Sequence, residues 1–186
     1  MRKIIARTLI VVGVLIVCIS TYTNYKVEES NNEVVNQYEK IIETNSNNKL
    51  ENTKLPEGII GILKIPKIDL KVAVQEGTDD DTLKYAVGHF KETAMPGEVG
   101  NFAVAGHRAY TYNKFFSNLD KVELGDKLDI LTSKGEYTYK VTSSEVIKPE
   151  QVEVLENEEN KETITLITCT PKYVGSHRLV IKGEKI

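Results

Sequence analysis

The chain has 186 residues, a net charge of −3 and 40% hydrophobic side chains. That is enough for one domain with a full core. Three of its cations, Arg2, Lys3 and Arg7, crowd the extreme N-terminus, so the rest is more acidic still. An acidic body with no polybasic stripe and no Gly-rich phosphate loop argues against a nucleic-acid partner.

The N-terminus reads MRKIIARTLIVVGVLIVCISTYTN. From Ile4 to Tyr22, with Arg7 snorkelling, it approaches the ~20 residues that cross a bilayer. The preceding cations put the N-terminus in the cytoplasm and the remainder outside. No A-x-A site follows, and Val17 before Cys18 is not the small residue of a lipoprotein signal. An uncleaved single-pass anchor over residues 1–23 is therefore expected in preference to a cleaved secretion signal.

Residues 24–57 read as a polar stalk. Inside it Val34, Val35, Tyr38, Ile41 and Ile42 repeat at helical spacing, with Asn31 as a candidate cap. NSNNKLENTK then reads as linker. From residue 58 the pattern changes to short β-rich runs: GIIGILKI, IDLKVAV, NFAVAG, KLDILTS, EYTYKVTSSEVI, TITLITC and RLVIKG. DDDTLKYAV reads as a short helix and NKFFSNLDKV as a partly helical connection. Seven or eight short strands in residues 58–186 predict an all-β closed barrel or sandwich. The sequence stops three residues after Gly183, so no second membrane segment is expected there.

Cys18 lies in the membrane segment, which leaves Cys169 as the single cysteine of the exported body. Exported proteins usually pair their thiols, so a lone one points either to a buried small side chain or to a reactive nucleophile. A nucleophilic thiol needs a histidine and a positive charge. The histidines are His89, His107 and His177. His107 ends the small-residue run NFAVAGH and ranks first, with His177 next and His89 last. If TITLITC and RLVIKG pair antiparallel, Arg178 faces Cys169 and His177 points to the other sheet face. An arginine fork there suits a carbonyl or a developing oxyanion, although a plain surface ion pair fits the same spacing.

TLITC resembles the Thr-Leu-x-Thr-Cys signature of the sortases, with the arginine on the following strand. AGH before RAY resembles their catalytic-histidine segment. The longer stretch from Val87 to Asp126 is similar too, and the three segments fall in matching order across residues 58–183. The resemblance implies a sortase-type barrel of about eight strands with short helices. It implies Cys169 as nucleophile, His107 as general acid/base and Arg178 as oxyanion stabiliser. Thr168, Ala105 and Ile167 would line the substrate groove, and Arg108 matches no catalytic position.

The implied reaction is cleavage of LPxTG-type surface proteins between Thr and Gly, with transfer to a cell-wall precursor amine. The pilin-polymerising class usually carries an Asp-Pro-aromatic lid and a C-terminal membrane segment. Neither is found, which favours class D over classes C and A. No cofactor is expected. Asp79–Asp81 and the glutamates of residues 150–159 resemble calcium loops of some sortases, but they read as solvated acid runs, so no obligatory metal is expected. KPEQVEVLENEENKE is expected to cover the groove as a mobile loop. Two rivals remain. An L,D-transpeptidase would put His, Cys and Arg in one tight segment. A non-catalytic wall-binding module would need no thiol.

Overall fold

A computed structural model describes residues 2–46, 55–108 and 115–186. Eight strands form a closed barrel: β1 (Ile59–Ile65), β2 (Leu70–Glu76), β3 (Val87–His89), β4 (Gly100–Ala105), β5 (Lys127–Thr132), β6 (Gly135–Ile147), β7 (Glu162–Thr170) and β8 (His177–Lys185). Their order around the barrel is β1-β2-β3-β4-β7-β8-β6-β5. The pairs β2/β3 and β4/β7 are parallel, and the others are antiparallel. The seven expected runs became seven of these strands. The eighth, β3, is three residues long and lies in AVGHF, too short to show a period.

Alternation along each strand divides the side chains between two faces. Leu63, Ile65, Val72, Val74, Phe102, Val104, Ile164, Leu166, Leu179 and Ile181 point inward and fill the barrel. Several strands are apolar on the outer face as well, because that face is covered at two places. Ile62 and Ala73 pack under a helix with Val35 and Tyr38. Ile147, Ile167 and Val180 pack under Phe90, Val154 and Leu155. Burial on both faces explains why TITLITC reads as a near-continuous apolar run rather than a clean alternation.

That covering helix is α1 (Arg2–Ser46), 45 residues without a break. Its first part exposes Ile4, Leu9, Ile10, Val14, Leu15, Ile16 and Ile19. It is long and apolar enough to cross a membrane. Its last part lies on the barrel with Val27, Val35, Tyr38 and Ile41 buried. The 3.6-residue period of the stalk was therefore a barrel-facing stripe.

Asn31 does not cap a helix. It sits mid-helix, 5% exposed, because its amide serves β2: Nδ2 donates to the Lys71 carbonyl at 3.2 Å and Oδ1 accepts from the Ala73 N–H at 3.1 Å. The Tyr38 hydroxyl donates to the Ile60 carbonyl at 2.9 Å, and Glu39 pairs with both Lys64 and Lys71. Most of the expected linker, residues 47–54, lies outside the described residues.

The short helix α2 (Asp80–Tyr85) begins at Asp79, whose carboxylate accepts from the Thr82 N–H and hydroxyl, each at 3.0 Å. One member of the acid run is thus an N-cap. Of the expected connection 113–122, residues 113 and 114 lie outside the described residues. Its end forms a 3-10 turn, Leu119–Lys121.

Candidate active site

Antiparallel pairing of β7 with β8 sets Cys169 directly opposite Arg178. Cys169 lies two residues after the outward-facing Ile167 and Arg178 two residues before the outward-facing Val180, so they share the outer face at the barrel rim. His177 falls opposite Thr170, on the alternate face. Its ring is beside the Ser176 hydroxyl at 2.9 Å.

His107 arrives from β4. Parallel pairing matches Ala103 with Thr165 and Ala105 with Ile167. The same offset carried two residues further aligns His107 with Cys169. The backbone follows that line past the strand end, because the Gly106 N–H donates to the Ile167 carbonyl at 3.1 Å. Gly106 must be small: a Cβ there would stand 2.7 Å from the Phe116 ring. Three strands, one of them distant in sequence from the other two, thus bring the three candidates to one rim.

A cavity of about 310 Å³ opens beside His107 and Cys169, which line it with Arg108 and with the turn that joins β7 to β8, including Lys172, Tyr173 and Gly175; Arg178 is not part of that lining. Gly175 has φ +67°, a left-handed backbone that suits glycine. Its missing side chain leaves room at the thiol, since a Cβ there would lie 3.9 Å from the Cys169 sulfur. Arg178 holds this turn: Nη1 donates to the Gly175 carbonyl at 2.9 Å and to the His177 carbonyl at 3.0 Å. Cys169 is half-buried and unpaired, as is required of a thiol that reacts.

Burial holds the His107 imidazole below its ordinary value, while the Asp80 carboxylate acts the other way. At neutral pH the ring is therefore a neutral base. His89 has a different job. It is 1% exposed, with Nδ1 3.2 Å from Glu76 and Nε2 3.0 Å from the Thr93 hydroxyl. Its ring stacks on Phe102. It packs the β3–β4 turn and does not reach the cavity lining.

The three groove candidates separate. Ala105 is half-exposed on the outer face beside Ile167. Ile167 is 9% exposed, under the Val154–Leu155 segment. Thr168 is buried and turned the other way; its hydroxyl donates to the Gly106 carbonyl at 2.7 Å. In this structure it supports the backbone just before His107. The loop expected to be a loose cover is tied down. A 3-10 turn, Val152–Leu155, packs on β7 and β8. Asn101 holds it through Nδ2 to the Val154 carbonyl and through its N–H to Asn157, each at 2.9 Å.

Sequence reasoning set Arg108 aside as a rival cation that matches no catalytic position. It is 7% exposed; Nη1 donates to the Thr170 hydroxyl and Nη2 pairs with Asp120 at 3.1 Å. Its position next to His107 was the one available signal.

A closed barrel bearing a thiol, a neutral histidine and a forked cation at one rim is built as a cysteine acyl-transfer site. The chain belongs to the sortase family: the Sortase domain model matches residues 63–186. Sortase D of Bacillus subtilis (strain 168) is 36% identical over 129 residues, covering 68% of this chain; the chain spans 63% of that relative's length. Sortase A of Bacillus anthracis is 29% identical over 199 residues, 99% of this chain and 94% of the relative. The solved structure of a Clostridium perfringens Sortase D5 transpeptidase superposes with a TM-score of 0.71 at 32% identity, over 85% of this chain and 99% of that one. Sortases are cysteine transpeptidases.

Proposed function

We propose that this chain is a membrane-anchored class D sortase, with its N-terminus inside the cell and its barrel outside. It cuts an LPxTG-type sorting signal between Thr and Gly and transfers the acyl part to a cell-wall amine. The observation that carries the reading is the pairing register, which sets Cys169 opposite Arg178 and aligns His107 with Cys169 from the neighbouring strand.

The Cys169 sulfur attacks the threonine carbonyl carbon, and its proton passes to His107. The developing oxyanion faces Arg178, whose guanidinium has five N–H donors. The carbon–nitrogen bond then breaks, and His107 returns the proton to the departing glycine amine. An incoming amine attacks the thioester, gives a proton to His107, and Cys169 leaves as a thiol by taking it back. Ala105 and Ile167 form an apolar floor for the sorting signal.

The test is to incubate the protein with an LPxTG-type peptide and rising concentrations of amines: wall cross-bridge peptides, diaminopimelate-bearing stems and lysine-bearing pilin peptides. Mass spectrometry should show a product heavier than the hydrolysed fragment that grows with amine concentration. Thioester formation followed only by free acid, with every amine, would refute transfer to these acceptors.

A further inference from the structure

We infer that Arg108 is a positioning residue: its guanidinium is a strut that fixes the separation of His107 and Cys169. The inference rests on those two residues being the catalytic pair.

The backbone before each of them is tied to the other strand. Gly106 donates to the Ile167 carbonyl and accepts from the Thr168 hydroxyl. Both ties lie on one side of the pair. On the other side the strands diverge, β7 entering the turn at Pro171 and β4 leaving the sheet after Ala105. Arg108, the residue after His107, donates there to the hydroxyl of Thr170, the residue after Cys169. The guanidinium thus closes a frame around the pair.

The strut has its own footing. Nη2 is held by Asp120 at 3.1 Å. The main chain behind it is pinned as well: the Ser117 hydroxyl donates to the Arg108 carbonyl at 2.7 Å, and the Phe116 N–H donates to the His107 carbonyl at 3.0 Å. Only a planar fork reaches Thr170 and Asp120 at once, so a lysine ammonium is no substitute. The arrangement is not the one that stability alone would select. Arg108 is a nearly buried charge whose Nε finds no hydrogen-bond partner among the described residues. Such a group costs stability relative to an apolar residue of similar volume. A proton transfer, by contrast, is sensitive to misplacement of about 1 Å.

The experiment uses the full chain in detergent micelles and an LPxTG-type reporter peptide. Thr170→Val, close in shape, removes the acceptor and leaves the Arg108 charge in place. Arg108→Met removes the strut, and Arg108→Lys keeps the charge without the fork. Each should lower kcat by on the order of tenfold with KM little changed. The Thr170→Val/Arg108→Met double variant should lose no more than the worse single, because both remove one contact.

Near-normal kcat in Thr170→Val, full rescue by Arg108→Lys, or losses that multiply in the double variant would each overturn the strut. Should Arg108→Met melt at much lower temperature, the Thr170→Val arm still decides. Cys169→Ala runs alongside. Cleavage by that variant would sink the catalytic pair itself, whereas an inactive Cys169→Ala with a fully active Thr170→Val would sink only the strut.

Discussion

At the scale of single residues, the site's pH behaviour follows from where His107 sits. Its imidazole is kept below the ordinary value of about 6.5, first by burial, against the pull of Asp80. A base depressed in the folded state is neutral above that range and gains its proton only as the pH falls further. Peptide cleavage should therefore hold through neutral pH and decline below 6.5, as the ring can no longer accept the thiol proton. Asp80→Asn removes the group that favours the protonated ring, so the acidic limb of kcat/KM should move to lower pH; a shift to higher pH would contradict the assignment. Stability has the same sign. The folded state binds the proton less readily than the unfolded chain, so this contribution is complete above the unfolded value, begins to fall there, and is lost as pH falls through the lower folded value. His107→Ala should flatten that slope.

The three catalytic candidates also make graded predictions. Cys169→Ala should abolish cleavage, and turnover by that variant would remove the nucleophile. Arg178→Ala should lose on the order of a hundredfold or more in rate, as for one oxyanion donor, and Arg178→Lys should recover little. A folded Arg178→Ala protein cutting at a normal rate would take the arginine out of the chemistry. His89→Ala and His177→Ala should keep substantial activity. For His89 any loss should appear as a lowered melting temperature, because its ring is packed on Phe102.

At the scale of elements, the helix α1 and the barrel share a core that can be measured. Tyr38 is fully buried against the outer face of β1 and β2, with its hydroxyl on the Ile60 carbonyl. Tyr38→Ala should cost about 3–5 kcal/mol of stability, and Tyr38→Phe about 1 kcal/mol for the lost hydrogen bond. Denaturant melts of a fragment starting at residue 24 would read both. A Tyr38→Ala loss below about 1 kcal/mol would mean the helix does not rest on the barrel in solution.

This is also where the sequence was only partly legible. The period of Val35, Tyr38 and Ile41 announced a helix but not its partner, because a 3.6-residue stripe has the same form against any surface. Asn31 looked like a cap because capping and strand-edge bonding ask the same of an amide. The opposition of Cys169 and Arg178 was readable because a short turn leaves few registers. The frame around His107 was not, because β4 and β7 are distant in sequence and meet in parallel. The bond from the Thr168 hydroxyl to the Gly106 carbonyl was not readable either, because the signature names the residue without its face.

At the scale of the whole molecule, α1 joins the exposed apolar run to the docked one with no interruption. Exposed large apolar side chains continue through Ile19 and Tyr22 to Tyr25, and the first buried residue on the barrel side is Val27. In the proposed anchored arrangement, an unbroken helix docked so soon after the apolar segment leaves no slack, so the barrel should ride at a fixed height above the bilayer. The proposed substrates are tethered to the same membrane, which makes that height part of the reaction. Seven helix-forming residues inserted between Tyr22 and Thr23 would raise the barrel by about 10 Å at 1.5 Å per residue. They would nearly preserve the helical phase. Seven Gly/Ser residues at the same place would instead form a flexible tether whose reach includes the original height. Cleavage of a free LPxTG-type peptide should be unchanged in both. Processing of a membrane-tethered substrate in vesicles should fall for the rigid insertion and recover in large part for the flexible one. Equal processing by the rigid insertion and the parent chain would show that α1 anchors the barrel without setting its height.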